Sequence, residues 1–398
     1  MRLQKSSVFF LLASSVFFNP IVEAQISIPS YGEGINITTA DNSAELNLGF
    51  RVQSLFTLED PGSGKDLEYG MLIRRSRLKA DGFFHDKKYG FKFEMGLSNR
   101  DIANGNEIIQ TGNAPKLILD AVFKYRPTKN LELWFGQTKL PGNRERVISS
   151  QSLQFVDRSM VNSDFNIDRD AGVWAFYKVK LGEMPIKFGA AITTGEGRNI
   201  TVDNIGGFSY TGRIEALPLG KFTNKGDYFS SDLEREQKPK LGIGISYNYN
   251  NDASRQNGQL GNFVMDSSGI FLMDLNNIMV DLIFKYKGWS VLSEYAQRTW
   301  RNDLDDYLPL SSNFDLGRGF NFQTGYLFKN NFEVALRYTD IMASAEQTGL
   351  KDRQQYTLGL SKYIVGHTLK CQTDFSYTKT AGTDDPALMY RFQLEFGI

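Results

Sequence analysis

Two groups of closely spaced cations are the residues of this sequence with the most evident chemistry. The first group comprises Arg74, Arg75, Arg77 and Lys79, and the second comprises Arg144, Arg146, Arg158 and Arg169. Guanidinium groups bind carboxylates and phosphates through paired hydrogen bonds, so both groups predict attraction of anions. The same cations could instead pair with Glu94, Asp120, Glu145 and Asp157 and only stiffen the structure. Residue types alone leave these two interpretations equally open.

Catalytic and metal-binding combinations are sparse. His85 and His367 are the only histidines, and both fall at short turns between predicted strands. A Ser-His-acid hydrolase is therefore hard to build. Cys371 is the only cysteine, so neither a disulfide framework nor a His/Cys metal site is expected. We expect no cofactor and no enzymatic activity.

Composition narrows the class of protein. The chain has 398 residues, 45 basic and 45 acidic side chains, 13% aromatic residues and a mean hydropathy of −0.34. This hydropathy argues against a bundle of membrane-spanning helices, which need about 20 apolar residues in a row. The balanced charge argues against nucleic-acid binding, and it provides no cationic excess that would favour phosphate.

The first 24 residues have the order of a secretory signal peptide. Arg2 and Lys5 precede an apolar stretch over residues 8–18, and Val22-Glu23-Ala24 offers a cleavage site before Gln25. The apolar stretch is too short for a membrane anchor, which needs about 20 residues. Residues 1–24 are therefore predicted to be removed during secretion, and residues 25–42 to form a short N-terminal segment.

Apolar and polar residues alternate with a period of two over residues 43–398. The last stretch shows it best, because Tyr390, Phe392, Leu394 and Phe396 alternate with polar residues. Sixteen such segments are predicted, at 43–58, 70–84, 89–99, 117–126, 130–138, 170–180, 185–195, 207–217, 239–250, 278–287, 289–300, 320–328, 331–341, 354–365, 367–379 and 388–398. An even number of strands with short and long connections in alternation is typical of a transmembrane antiparallel β-barrel of the outer membrane.

Two further features bear on this fold prediction. Aromatic residues near strand ends resemble the girdle at a membrane interface: Tyr69, Tyr89, Trp134, Tyr177, Tyr286, Trp289, Trp300 and Tyr338. A soluble β-sandwich is the alternative, but it would have fewer strands per domain. Residues 218–238 are too long for a turn on the side of the short connections, which leaves open a miscounted pair of strands.

Several short motifs resemble the phosphate-selective porin O and P family over residues 43–398. They are Ile73-Arg74-Arg75-Ser76-Arg77-Leu78, Leu119-Asp120-Ala121, Phe135-Gly136-Gln137-Thr138-Lys139-Leu140-Pro141-Gly142, Asp157-Arg158-Ser159, Asp168-Arg169-Asp170-Ala171-Gly172 and Gly366-His367-Thr368-Leu369-Lys370. The resemblance implies a trimeric porin of sixteen strands whose constriction gathers anions. Residues 139–169 have the position and length of the third external loop, which folds inward in porins. By motif, Arg74, Arg75, Asp120, Lys139 and Arg158 would surround the central anion site.

These observations predict an outer-membrane porin for small hydrophilic solutes, with a preference for anions such as phosphate. Arg74, Arg75, Lys139 and Arg158 would replace part of the anion's hydration, and Asp120 would orient them. The expected partners are outer-membrane lipid, two further copies of the chain and small anions. The alternatives are a non-conducting barrel that serves structure, adhesion or binding, and a barrel hydrolase that depends on His85 or His367.

Overall fold

A computed structural model describes residues 24–27, 31–62, 64–85, 87–98, 101, 116–267, 269–300, 314–344 and 348–398. The predicted signal peptide lies outside these residues except for Ala24, so it stays a prediction. Among the described residues, no helix is long and apolar enough to cross a bilayer.

The described chain is built almost entirely of β-strands. A short hairpin comes first, with β1 at Ala24–Ser27 and β2 at Ile35–Thr39. The first half of the barrel comprises β3 (Ala44–Asp60), β4 (Glu68–Phe84), β5 (Tyr89–Gly96), β6 (Ile118–Tyr125), β7 (Leu131–Lys139), β8 (Arg169–Leu181), β9 (Met184–Thr193) and β10 (Ser209–Ala216). The second half comprises β11 (Lys240–Ala253), β14 (Met273–Tyr286), β15 (Trp289–Trp300), β16 (Gly317–Leu327), β17 (Phe332–Ala343), β18 (Arg353–Val365), β19 (Leu369–Thr380) and β20 (Ala387–Gly397). Two short strands, β12 (Met265–Asp266) and β13 (Gly269–Ile270), pair with each other in the connection before β14.

The sixteen long strands form a closed antiparallel barrel. Each strand pairs with the next, and β20 closes the ring by pairing with β3 from Leu388↔Asp60 to Gly397↔Arg51. Each of the sixteen predicted segments coincides with one of these strands, and the ends differ by a few residues. Hairpin β1–β2 adds a pairing that the sequence did not predict, because β2 runs alongside the first residues of β3.

Alternation along each strand separates an apolar outer face from a polar inner face. On β11 the outward side chains of Ile243, Ile245 and Tyr247 are 40%, 52% and 49% exposed, whereas the inward Ser246 and Asn248 are buried. An apolar outer band is what lipid requires of a barrel, and a polar inner face is what a lumen of this width requires. The predicted fold class is confirmed.

Two connections make many contacts with inward-facing side chains. The inner loop, residues 140–168, joins β7 to β8 and contains helices α1 (Arg144–Val147) and α2 (Met160–Phe165) and one 3₁₀ turn (Ser150–Ser152). The lower connection, residues 217–239, joins β10 to β11 and contains a 3₁₀ segment (Thr223–Tyr228). It holds no strand, so the predicted strand count was right.

The inner loop and the lower connection also contact each other. The backbone N–H of Ser230 donates to the carbonyl of Ser152 at 2.9 Å. His367, in the turn between β18 and β19, stacks on Phe229 with ring centroids 5.3 Å apart. The lower connection is therefore joined to the inner loop and to a barrel turn, and it is much more than a simple hairpin turn.

Candidate functional site

A β-bulge brings Arg74 and Arg75 to the same face of the barrel. Gln53 pairs with Arg75 and Ser54 pairs with Ile73, which leaves Arg74 as the extra residue of β4. Adjacent residues of a regular strand point to opposite faces, but a bulge re-aims one of them. Both guanidinium groups consequently reach the same carboxylate of the inner loop.

That carboxylate belongs to Asp157. Its Oδ2 accepts from Arg74 at 3.1 and 2.5 Å, and its Oδ1 accepts from Arg75 Nη2 at 2.9 Å. The two arginines hold the pKa of the Asp157 carboxyl well below its usual range, against the opposing effect of burial. The pair that the sequence predicted as an anion site is thus already bound to one fixed carboxylate.

Arg75 begins a polar chain that runs across the closing pair of strands. Its Nη1 donates to Gln53 Oε1 at 2.9 Å, and Gln53 Nε2 donates to Glu395 Oε2 at 2.8 Å. Glu395 also accepts from Arg51 Nη1 at 3.1 Å, and Arg51 Nη2 donates to Ser150 Oγ of the inner loop at 2.7 Å. These bonds fix the orientation of Arg51 and Arg75 beside the loop.

Asp120 has partners other than the expected ones. It accepts from Lys92 Nζ at 2.6 Å, from Arg169 Nε at 2.9 Å and from Thr138 Oγ1 at 3.0 Å, and it is fully buried. The expectation that Asp120 orients Arg74, Arg75, Lys139 and Arg158 is therefore corrected: it orients Lys92 and Arg169. Sequence spacing could not reveal this, because the contact depends on the register of β5, β6 and β8.

Lys139 and Arg158 bind backbone carbonyls of the inner loop. Lys139 Nζ donates to the carbonyl of Arg146 at 2.8 Å, next to the end of α1. Arg158 donates to the carbonyls of Glu145 and Ile148, both at 2.7 Å. Carbonyl oxygens satisfy the donors of Lys139 and Arg158 without adding a negative charge, unlike carboxylates.

A cavity of about 870 Å³ lies between the inner loop and the barrel, mostly along strands β3–β10, which we call the cavity wall; Arg337 of β17 and Arg391 of β20 also line it. Among the described residues, fifteen cations and five carboxylates line it. The cations are Arg51, Arg74, Arg75, Arg77, Lys79, Lys92, Lys139, Arg146, Arg158, Arg169, Lys187, Arg198, Arg213, Arg337 and Arg391, and the carboxylates are Glu94, Asp101, Asp157, Asp168 and Glu215. The formal charge around the cavity is therefore strongly positive although the whole chain is neutral.

Among the described residues, no carboxylate forms an ion pair with two of the cavity cations, Lys79 and Arg198. In the described part of the chain, no hydrogen bond or ion pair holds Lys79. Arg198 donates to the carbonyl of Lys116 at 3.3 Å. Lys79 belongs to the first cation group of the sequence, whereas Arg198 lies in the connection between β9 and β10, whose path no local pattern predicts.

Strands β14–β19, which we call the anchor wall, hold the inner loop. Asp281 accepts from Arg144 Nε at 2.8 Å, and Glu294 accepts from the N–H of Glu145 at 2.6 Å. Gln154 Nε2 donates to Glu333 at 2.7 Å. One ion pair, Arg144–Asp281, and several hydrogen bonds to buried carboxylates thus hold the loop against this wall.

One residue assigned to the aromatic girdle lies elsewhere. Trp134 shares its phase on β7 with Glu132 and Thr138 and lines the cavity, so its assignment to the membrane interface was wrong. The signal was present in the sequence, because Leu133 and Phe135 occupy the alternate, outward phase.

A barrel of this topology with a cationic lumen can be compared with known proteins. The model of the family described as phosphate-selective porin O and P matches residues 46–396. The chain belongs to this family. It is therefore an outer-membrane porin, and the resemblance found in its motifs is confirmed.

Solved structures agree in fold. An anion-selective porin from Comamonas acidovorans is 13% identical with a TM-score of 0.57, over 89% of this chain and 100% of that one. OprB of Pseudomonas putida is 12% identical with a TM-score of 0.53, over 90% and 95%. OmpT of Vibrio cholerae, in a trimer form, is 12% identical with a TM-score of 0.50, over 89% and 99%. No curated protein matches this sequence.

Proposed function

We propose that this porin lets small hydrophilic solutes diffuse passively across the outer membrane and prefers anions, phosphate among them. The observation that carries the proposal is the excess of cations around the cavity, fifteen against five carboxylates among the described residues. A lumen with one dominant sign of charge raises the local concentration of the opposite ion. The phosphate selectivity in the name of the family and the anion selectivity of the Comamonas porin support the same preference.

The inner loop would form the constriction of this pathway. Its Asp157 and Arg158 meet Arg74 and Arg75 of the cavity wall, and Lys139 holds the loop where it leaves β7. An anion at this point would exchange part of its hydration for hydrogen bonds from guanidinium and ammonium groups. Asp157 competes with it for Arg74 and Arg75, which keeps binding weak enough for release.

Asp120 would act one step away from the anion. Because it holds Lys92 and Arg169 on the cavity wall, it would position two further cations along the pathway. Several cations in succession let an ion pass from one to the next without a deep free-energy minimum.

Single-channel recording in a planar bilayer under a KCl gradient tests the proposal. We expect the reversal potential to have the same sign as the equilibrium potential of chloride. Added phosphate should block the chloride current. Arg74→Ala with Arg75→Ala should shift the reversal potential towards zero, while outward-facing Phe135→Ala should leave it unchanged. A reversal potential of the sign set by potassium, unaffected by the double substitution, would refute the anion preference.

A non-conducting barrel is the second candidate. The inner loop and the lower connection contact each other through Ser230 and Ser152, and together they occupy part of the lumen. This candidate predicts no conductance at all from purified protein in a bilayer. Conductance steps with a chloride-dependent reversal potential would eliminate it.

We further propose that the protein is a homotrimer, that it is secreted with cleavage near Ala24, and that it has no enzymatic activity. The trimer form of the Vibrio OmpT structure is consistent with the first point. His367 packs between Phe229 and Tyr363 and His85 lies in the turn after β4, so neither lines the cavity in the described chain. Native mass spectrometry of detergent-extracted protein would measure both the subunit number and the mature N-terminus.

A further inference from the structure

Three aromatic side chains line the cavity in addition to its cations. They are Trp134 of β7, Phe176 of β8 and Tyr228 of the lower connection, and we call them the aromatic patch. The Trp134 and Phe176 rings lie 4.8 Å apart at an interplanar angle of 59°. Inorganic ions need only water and charge, and apolar surface facing a wet lumen costs about 25 cal/mol per Å². The passage of inorganic ions therefore does not explain why these three aromatic side chains line the cavity.

Packing explains part of the aromatic patch but not all of it. Phe176 is 8% exposed and belongs to the apolar cluster that contains Leu140 and Phe165 of the inner loop. Trp134 and Tyr228 are only partly buried and keep surface towards the cavity. Those two rings are therefore available to a solute.

A glycine allows the Phe176 ring to lie close against the barrel wall. Gly189 is its partner across β8 and β9, and a Cβ at Gly189 would come within 3.1 and 3.2 Å of two Phe176 ring atoms. Such contacts are tighter than ordinary van der Waals packing, so a side chain here would displace the ring. The absence of a side chain at Gly189 thus lets the Phe176 ring lie against the wall.

Lysines lie over the same rings. Lys187 Nζ is 5.0 Å from the Phe176 ring centroid and 5.6 Å from that of Tyr228, and Lys124 Nζ is 4.6 Å from that of Trp134. Lys187 Nζ donates to Tyr228 Oη at 3.0 Å, and its nearest carboxylate is that of Glu215, at 3.8 Å. An ammonium group beside an aromatic face can bind the acidic end of a molecule whose flat apolar part rests on that face.

We propose that the aromatic patch binds the flat apolar part of organic anions, with Lys187 of the cavity wall binding the acid group. The solute class of this porin would then be aromatic or similarly flat carboxylates and phosphates, in addition to inorganic anions. This inference rests on the proposed anion preference and specifies which anions the same cavity takes best.

Block of the chloride current by benzoate and by acetate tests the inference, because the two ions have the same charge and differ in the ring. In the unmodified channel, benzoate should reach half-block at a concentration about threefold to tenfold lower than acetate, the range expected for aromatic contacts. Trp134→Ala with Tyr228→Ala should bring the two concentrations together and keep the reversal potential of the sign set by chloride. Phe135→Ala, the outward neighbour on β7, is the matched control and should keep the difference.

The outcomes separate this inference from the proposed function. Equal block by benzoate and acetate in an anion-selective unmodified channel overturns the aromatic patch as a solute site and leaves the anion preference standing. A channel that prefers potassium overturns both. Because the comparison in the unmodified channel needs no substitution, a variant that fails to fold leaves the test intact.

Discussion

The two sides of the lumen contain similar charged residues and use them differently. On the anchor wall, Lys285 donates to the carbonyls of Gly226 and Ser231, and Arg298 donates to those of Asp164 and Asn166. On the cavity wall, cations such as Lys79 face open space. The comparison teaches that an inward charge becomes available to solutes only where no inner segment of the chain covers it.

The largest effect is expected from detaching the inner loop from the anchor wall. Arg144 is fully buried and donates to Asp281 at 2.8 Å and to the carbonyl of Asp227 at 3.1 Å. Arg144→Ala removes two charged hydrogen bonds and leaves Asp281 with Arg213 as its remaining cation, so we expect a loss of about 3–5 kcal/mol in the free energy of unfolding. A released loop should also raise the single-channel conductance.

Arg198→Ala is the matched substitution on the cavity side. Its single hydrogen bond to a carbonyl predicts an unchanged unfolding midpoint and a reduced anion preference. Urea unfolding, followed by the change in gel mobility of the folded barrel, measures the stability of both variants. Equal stability of the two would contradict the distinction between the walls.

Two lysines offer a second matched pair. Lys285→Ala removes charged hydrogen bonds at 2.8 and 2.6 Å, each with a net value of about 1.5–3 kcal/mol, and should lower stability without changing the reversal potential. Lys79→Ala should do the opposite and reduce the preference for chloride at constant stability. The account fails for these lysines if Lys285→Ala alters selectivity more than Lys79→Ala does.

Removing one negative charge from each side sharpens the comparison further. Asp157→Asn frees Arg74 and Arg75 from their carboxylate and should raise the permeability ratio of chloride over potassium by about twofold. Glu333 is bound by Gln154, Ser231 and Tyr363, so Glu333→Gln should leave that ratio unchanged. The reversal potentials of the two variants measure this difference. An equal shift in both would contradict the distinction between the inner loop at the cavity and the anchor wall.

The smallest effect is expected from pH. Since Arg74 and Arg75 lower the pKa of Asp157, its ion pairs contribute stability above about pH 4, its ordinary value, and are lost only as the pH falls through the lower folded value. The reversal potential should therefore be the same at pH 7.5 and at pH 5, which are conditions about one unit or more above that range. A stronger chloride preference at pH 5 that Asp157→Asn abolishes would show that Asp157 is protonated there.

Asp164 of α2 provides the contrasting case. Burial raises the pKa of its carboxyl to about 6, although Arg353 pairs with it. A raised value means that the ionised form is disfavoured in the folded state, so stability should increase slightly as the pH falls through 6. Asp164→Asn should abolish that increase in urea unfolding.

The barrel could be predicted from the sequence because alternation is a local property. The alternation of Tyr390, Phe392 and Leu394 with polar residues predicts an outward face from this segment alone. Sixteen such segments determine the architecture. For the lower connection, the sequence indicated only that it is longer than a turn. Its contacts with the inner loop depend on packing between segments far apart in sequence.

The site was predictable only in its residue types. Arg74 and Arg75 were named, but the bulge that turns both inward depends on pairing with β3, and Asp157 lies 83 positions further along the chain. The neutral total charge gave no sign of the cationic cavity, because it sums the cavity residues with those of the loops and the anchor wall. Only the fold shows which charges share a surface.

Anomalous scattering from a crystal soaked in bromide would test the central claim most directly, because it locates anions inside the lumen. We expect bromide peaks inside the cavity, near Lys79, Arg158 and Arg198, and none between the inner loop and the anchor wall. Peaks along the anchor wall, with the cavity free of bromide, would contradict it.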